Sequence, residues 1–195
     1  MTKKIYRINS NDYKSIDVES KTLRCVLFWS YANVAMAQYA LTNGLSSYDK
    51  TSYMIRSRLY KGLSAGYMKI SSLYDDEKAR LKANRECVYC QSTVKLSLDH
   101  LIPKAFGGSD SADNLVYACR SCNSSKGGRD LLVWCDRRNK FPPLLVLRRY
   151  LKLLIDYCED RDLMNIEFKN SFEFITPFNI SLIPLDFPLP KQLWF

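Results

Sequence analysis

Two Cys-x-x-Cys pairs constrain this 195-residue chain more than any other feature of its sequence. Cys87 and Cys90 form one pair, and Cys119 and Cys122 form the other. Each pair places two thiolates on one side of a tight turn, and four sulfurs complete a tetrahedral structural zinc site. The residues between the pairs suffice for two strands and a loop that bring both turns together. Disulfides and a thioredoxin-like redox pair are the alternatives, but redox pairs come singly beside a βαβ pattern, which this sequence lacks.

The segment between the cysteine pairs predicts a strand, a loop, a second strand and a short helix. Residues 96–100 alternate apolar and polar side chains, as a strand does. Residues 106–110, Phe-Gly-Gly-Ser-Asp, are typical of a turn. Residues 115–118 predict the second strand, and residues 121–126 suit one or two helical turns ended by two glycines.

These residues resemble the HNH endonucleases, whose site is a ββα-metal finger. Asp99-His100 matches the first element of their motif, Asn114 the middle asparagine and Asn123 the third element, and the separations of fourteen and nine positions also agree. Lys126 stands where many members carry a basic residue. The third element is asparagine rather than histidine, a variant found among active members. The resemblance covers residues 85–130.

The chemistry of these side chains suits phosphodiester hydrolysis. His100, the one histidine of the sequence, is predicted to take a proton from water as general base. Asp99 and Asn123 offer oxygen ligands for a catalytic Mg²⁺ or Mn²⁺. Because neighbours on a strand point to opposite faces, Asp99 and His100 need a strand end or a bulge to serve one site. The resemblance implies that Asn114 fixes the loop and orients the histidine through its backbone carbonyl, and it adds Lys126 to the catalytic set.

The charge of the chain predicts a polyanionic partner, since 29 Lys and Arg against 20 Asp and Glu give a net charge of +9. The segment between Cys119 and Arg149 contains eight basic residues but only two acidic ones, Asp130 and Asp136. The eight are Arg120, Lys126, Arg129, Arg137, Arg138, Lys140, Arg148 and Arg149. This asymmetry places the nucleic-acid-binding surface around the motif helix and the segment that follows it. The residues predicted to contact phosphates are Lys104, Arg120, Lys126 and Arg129.

Residues 1–84 predict an N-terminal helical region. Residues 23–41 form the longest apolar stretch, which approaches the length of a membrane span but is interrupted by polar residues, so a buried helix is predicted. Residues 51–83 predict helix with breaks at Gly62 and Gly66. Four tyrosines lie seven positions apart in this region, which predicts a packing seam against the first helix, with stacking on DNA as the alternative. They are Tyr53, Tyr60, Tyr67 and Tyr74.

Residues 131–195 predict C-terminal helices followed by an extended apolar tail packed on the core. Residues 144–158 suggest an amphipathic helix with Arg148, Arg149 and Lys152 on its polar side. Four prolines in residues 165–195 oppose helix and central strand. The tail therefore wraps the domain or docks into a partner subunit or a second copy, and both options stay open.

The environment predicted for the chain is the cytoplasm. Its first residues carry two lysines with no apolar segment behind them, so no signal peptide and no membrane association are expected. Zinc thiolates suit a reducing compartment. The three remaining cysteines, Cys25, Cys135 and Cys158, have apolar neighbours and are expected in the core.

The fold class predicted is α+β, mostly helical, with a small ββα-metal finger at residues 85–130 clipped by a four-cysteine zinc site. The function predicted is a metal-dependent endonuclease acting on DNA in preference to RNA. Restriction, phage defence, a mobile element and a toxin are all consistent with it. The alternative is a non-catalytic zinc finger that binds nucleic acid or supports an assembly.

Overall fold

The fold is α+β and mostly helical, as predicted from the sequence. The computed structural model describes residues 21–70, 85–171 and 178–195. Five helices and two strands lie within these ranges: α1 Leu23–Thr42, α2 Lys50–Ser64, β1 Leu96–His100, β2 Leu115–Cys119, α3 Arg120–Lys126, α4 Leu131–Arg137 and α5 Leu144–Glu159. The predicted strands, motif helix and C-terminal helix are all present. Predictions for residues 1–20 and 71–84 fall outside the described residues.

Helix α1 is the centre of the packing. It is buried along most of its length because α2, α5 and the C-terminal segment each cover part of it. Asn43 caps its C-terminal end, where the Asn43 side-chain amide donates to the Tyr39 carbonyl at 2.8 Å. Within the described ranges, none of the helices combines the length and the apolar composition that a membrane span requires.

The C-terminal segment, residues 178–195, lies along α1 in an extended path with two short 3₁₀ turns. Polar side chains of α1 bond its backbone: Ser30 donates to the Pro184 carbonyl at 2.8 Å and Asn33 to the Leu185 carbonyl at 3.0 Å. Proline has no backbone N–H to donate, so this proline-rich segment does not form regular strand pairing. The side chains of α1 instead provide hydrogen bonds to its backbone carbonyls. The Phe187 side chain is buried against the same core.

Helix α2 differs from its prediction in two ways. Gly62 lies inside the helix rather than at a break, and its lack of a Cβ leaves room for the Met68 side chain, which a Cβ there would overlap. The tyrosine seam is not one helical stripe. Tyr60 packs edge-on against Trp29 of α1, with ring centroids 5.3 Å apart, but Tyr67 lies beyond the end of α2 and is 69% exposed. Tyr74 is outside the described residues.

Helix α5 corrects the prediction that its basic residues form an exposed polar face. Arg148, Arg149 and Lys152 are all buried. Arg148 donates to the Tyr31 hydroxyl and to Gln38 of α1, the latter at 2.6 Å. Arg149 lies on the side of the finger, where its guanidinium is 4.0 Å from the Asp113 carboxylate. Arg148 and Arg149 therefore belong to the interior and are removed from the predicted nucleic-acid-binding surface.

The finger is built on the antiparallel pair of β1 and β2. Leu96 pairs with Cys119 at one end of the ladder, and His100 pairs with Leu115 at the other. Helix α3 follows β2 directly and ends at Gly127, which has a positive φ of 54°. The hydrophobic core is shared, since buried residues of the finger, α1 and α5 belong to one cluster.

Candidate functional site

The four predicted metal ligands converge at one end of the hairpin. The sulfur atoms of Cys87, Cys90, Cys119 and Cys122 all lie within 4.8 Å of one another, and Cys90 and Cys119 are 3.7 Å apart. A tetrahedral ion with metal–sulfur bonds of about 2.3 Å requires sulfur–sulfur separations of roughly 3.8 Å. The geometry therefore fits one tetrahedral metal ion.

Local backbone geometry forms both cysteine turns. The Gln91 N–H donates to the Cys87 carbonyl at 2.7 Å, which closes the first turn. Cys119 caps α3, where its sulfur accepts the Cys122 N–H at 3.4 Å, and this bond lowers the pKa of the Cys119 thiol to about 7. Burial raises the pKa of the Cys87 thiol. At least one ligand is thus favoured as the thiolate that a metal requires.

The other three cysteines are set apart from this cluster. Cys135 and Cys158 are buried in the core as predicted, while Cys25 is only half-buried. No second group of three or more potential metal-binding side chains of His, Cys, Asp or Glu occurs within the described ranges.

Asp99 lies on the inner face of β1, in a buried charged cluster. Its side chain is 5% exposed and that of Lys126 is 0% exposed. The Lys126 ammonium reaches both carboxylate oxygens, at 3.2 and 3.1 Å, and also the His100 carbonyl at 2.6 Å. The Tyr89 hydroxyl donates to the same carboxylate at 2.7 Å, and burial together with Asp99 raises the pKa of Tyr89.

The position of Lys126 corrects its predicted role as a phosphate contact. Its ammonium is buried against Asp99, because α3 packs over β1 and brings the two residues together. The sequence does not distinguish a lysine side chain that is exposed at a helix end from one that folds inward. The periodicity of α3 therefore did not predict that Lys126 is buried. A phosphate cannot reach this ammonium in the observed arrangement.

Asn123 lies one turn before Lys126 on α3 and is half-buried. Its amide nitrogen donates to the Ser97 hydroxyl at 3.0 Å and to the Leu98 carbonyl at 3.3 Å. Ser97 and Asp99 are two positions apart on β1 and share a face, so Asn123 and Asp99 belong to the same β1–α3 contact. Their oxygens are the donor types that a hard divalent ion prefers. An ion at Asp99 would share the carboxylate with Lys126 or displace it.

His100 ends β1, which is the strand end that its predicted role required. Its Nε2 lies 2.8 Å from Asp110 Oδ1, and Lys104 Nζ lies 2.8 Å from the same oxygen. Hydrogen bonds from Lys104 and His100 hold the pKa of Asp110 below its usual value. Sequence reasoning identified Asp110 only as part of a turn. The only feature of the sequence that could have suggested a contact with His100 was the position of Asp110 in the loop that follows the histidine.

Asn114 is buried and bonds across the whole loop between the strands. Its side-chain oxygen accepts the Ile102 N–H at 2.7 Å, and its amide donates to the carbonyls of Ile102 and Ser109 at 2.9 and 3.0 Å. Its backbone carbonyl accepts the Leu101 N–H at 2.9 Å, next to His100 in the chain.

The remaining predicted phosphate contacts lie at the surface. Lys104, Arg120 and Arg129 are exposed. The Arg129 guanidinium donates to the Ser125 and Lys126 carbonyls at the end of α3, at 2.9 and 3.2 Å. Such bonds hold the cation at the negative end of the helix.

Comparison with known proteins assigns the finger. Residues 87–130 match the family model of the HNH endonucleases. The CRISPR-associated endonuclease Cas9 of Corynebacterium diphtheriae is 39% identical over 57 residues, and that of Actinomyces naeslundii is 38% identical over 55 residues. These matches cover 27% and 26% of this chain but only 5% of each relative. Residues 87–130 therefore match the HNH endonuclease domain, and the chain spans only about a twentieth of the length of these two relatives.

Proposed function

We propose that the protein is a metal-dependent endonuclease that hydrolyses phosphodiester bonds in DNA. The observation that carries the proposal is the intact set of Asp99, His100, Asn114 and Asn123 within the segment that matches the HNH endonucleases. A zinc scaffold needs the cysteines alone, so the additional residues indicate catalysis.

His100 is the proposed general base. It would take a proton from water at a strand end beside the loop that Asn114 holds. Asp99 and Asn123 would hold Mg²⁺ or Mn²⁺, and such an ion supplies charge neutralisation on the phosphate and the leaving oxygen. Zinc is proposed for the four cysteines, where it stabilises the finger. Lys126 is assigned to the support of Asp99 rather than to the phosphate.

The proposed DNA surface consists of exposed cations around the finger. Lys104, Arg120 and Arg129 flank the hairpin and α3, and the net charge of +9 attracts a polyanion. DNA is preferred over RNA. The relatives are CRISPR-associated, and defence, restriction or a mobile element is the proposed setting, in the cytoplasm. A partner subunit bound through the C-terminal segment would be compatible with this function.

One observation favours the alternative of a non-catalytic scaffold that binds nucleic acid. Asp99 is buried and paired with Lys126, so its carboxylate already has a structural role. A protein of this kind would bind DNA through the same cations without cutting it under any metal condition.

Incubation with supercoiled plasmid and Mg²⁺ tests the proposal. The wild type should nick the plasmid, and His100→Ala should lose nicking while it keeps DNA affinity and thermal stability, because the imidazole is only partly buried at a strand end. Asp136→Ala on α4 is a matched surface control that should cut normally. Equal nicking by His100→Ala would remove the proposed base, and DNA binding without nicking by the wild type would favour the scaffold.

A further inference from the structure

Helix α2 and the residues that follow it carry basic side chains and no acidic ones. Residues 50–70 contain five lysines and arginines but no aspartate or glutamate. Because an α-helix has 3.6 residues per turn, Lys50, Arg58 and Lys61 lie on one side of α2. All three side chains are exposed, and so is Met54 between them. We call the surface formed by these three cations the α2 basic face.

The opposite side of α2 is packed against α1, which holds the α2 basic face outward. The Arg56 guanidinium lies 4.5 Å from the centre of the Trp29 ring of α1, and Leu63 is buried in the shared core. At the start of the helix, the Asp49 carboxylate accepts the Ser52 N–H at 2.8 Å in a capping box. The helix is therefore held by its inner side and its cap, and the outward cations are not needed for its packing.

The positions of these cations do not favour the helix itself. Lys50 is the first residue of α2, where the helix dipole is positive and a cation is unfavourable. Arg58 and Lys61 are three positions apart, so they are neighbours on the helix surface and repel each other. The dipole favours Lys61 alone, because it lies in the last turn. Helix stability thus does not account for this set of charges, whereas an external anion does.

We propose that the α2 basic face is a second DNA-binding surface, which contacts the phosphate backbone of the substrate away from the finger. The proposal rests on the proposed function for the identity of the polyanion, but not for cleavage. From Lys50 to Lys61 the face extends about 16 Å along the helix axis, which corresponds to roughly five phosphates of one DNA strand. A helix that binds a membrane inserts its apolar side into the lipid, but the apolar side of α2 is packed against α1.

Salt-dependent DNA binding tests the proposal without cleavage. Fluorescence anisotropy of a labelled DNA duplex, with no Mg²⁺ present, gives the affinity of the whole chain at a series of salt concentrations. Each phosphate contact contributes about 0.9 to the slope of log affinity against log salt. Arg58→Gln/Lys61→Gln should therefore reduce the slope by about 1.8 and weaken binding at about 0.1 M salt by roughly 10- to 60-fold. Circular dichroism should show an unchanged helix content, because both side chains are exposed.

Arg161→Gln/Lys169→Gln is the matched control, since it removes the same charge from exposed cations that have partners within the chain. The Arg161 guanidinium lies 3.9 Å from the centre of the Tyr157 ring, and the Lys169 ammonium lies 3.2 Å from a Glu167 carboxylate oxygen. This variant should keep the wild-type slope.

Three results would overturn the proposal: no DNA binding by the wild type, an unchanged slope in Arg58→Gln/Lys61→Gln, or an equal loss in both variants. The last of these would indicate an effect of net charge rather than a contact surface. A wild type that shows the α2 effect on binding but does not nick plasmid with Mg²⁺ would support the α2 basic face and contradict only the proposed catalysis.

Discussion

Replacement of Lys126 by methionine isolates the cost of the buried charge pair. The Lys126 ammonium is fully buried and serves three acceptors, namely both Asp99 oxygens and the His100 carbonyl. Methionine keeps most of the aliphatic volume but removes the charge. Asp99 would then be a buried carboxylate with Tyr89 as its remaining partner in this cluster.

The expected loss is large because an uncompensated charge remains in the interior. Removal of one partner from a buried pair costs about 3–5 kcal/mol. For a chain of this size each kcal/mol shifts Tm by roughly 2–4 °C, so a drop of roughly 6–20 °C is expected. Lys140→Met, at an exposed position, should change the free energy of unfolding by no more than about 0.5 kcal/mol.

Urea denaturation monitored by circular dichroism measures both variants with the metal content held equal. The double variant Asp99→Asn/Lys126→Met should regain a large part of the loss, since no isolated charge then remains, and the non-additivity gives the coupling. A loss below about 1 kcal/mol in Lys126→Met, comparable to that of an exposed ion pair, would refute the reasoning.

Three further predictions concern the metals and the loop. Elemental analysis should find about one tightly bound zinc per chain, which Cys90→Ser should lose together with the folded finger and which Cys25→Ser should keep. Zinc retained at the wild-type level in Cys90→Ser would exclude this cluster as the site. Cleavage should require Mg²⁺ or Mn²⁺ and should stop when a chelator removes these ions but leaves the zinc bound. In a metal titration, Asn123→His should shift the preference towards softer ions, and an unchanged preference would count against Asn123 as a ligand. Gly108→Ala should reduce both cleavage and Tm because its Cβ overlaps a backbone carbonyl, while Gly128→Ala, which meets nothing within 4 Å, should do neither.

Local patterns in the sequence were sufficient to predict the strands, the cysteine cluster and the helix of the finger. Alternation in residues 96–100, the paired cysteines and the glycine that follows Lys126 each depend on neighbours in the chain, and the structure has the corresponding strand, cluster and helix end. The roles proposed for His100 and Asn123 stay predictions.

Long-range packing explains what the sequence did not predict. The basic residues of α5 have the periodicity of an exposed face, and only the position of α1 determines that Arg148 is buried. The tyrosine spacing suggested one continuous stripe, but the chain turns after α2 and leaves Tyr67 at the surface. The contact of Asp110 with His100 depends on hydrogen bonds from Asn114 across the loop, which no spacing rule encodes.

The side chains of Asp99 and His100 lie in two different environments because neighbouring residues on a strand point to opposite faces. Asp99 faces α3, where Lys126 and Tyr89 make it part of the interior. His100 faces the loop, where its partner Asp110 is exposed and can be replaced without disturbing the core. Lys126 links the two sides, since its ammonium binds the Asp99 carboxylate and the His100 carbonyl together. Stability and proposed catalysis are therefore coupled at Lys126.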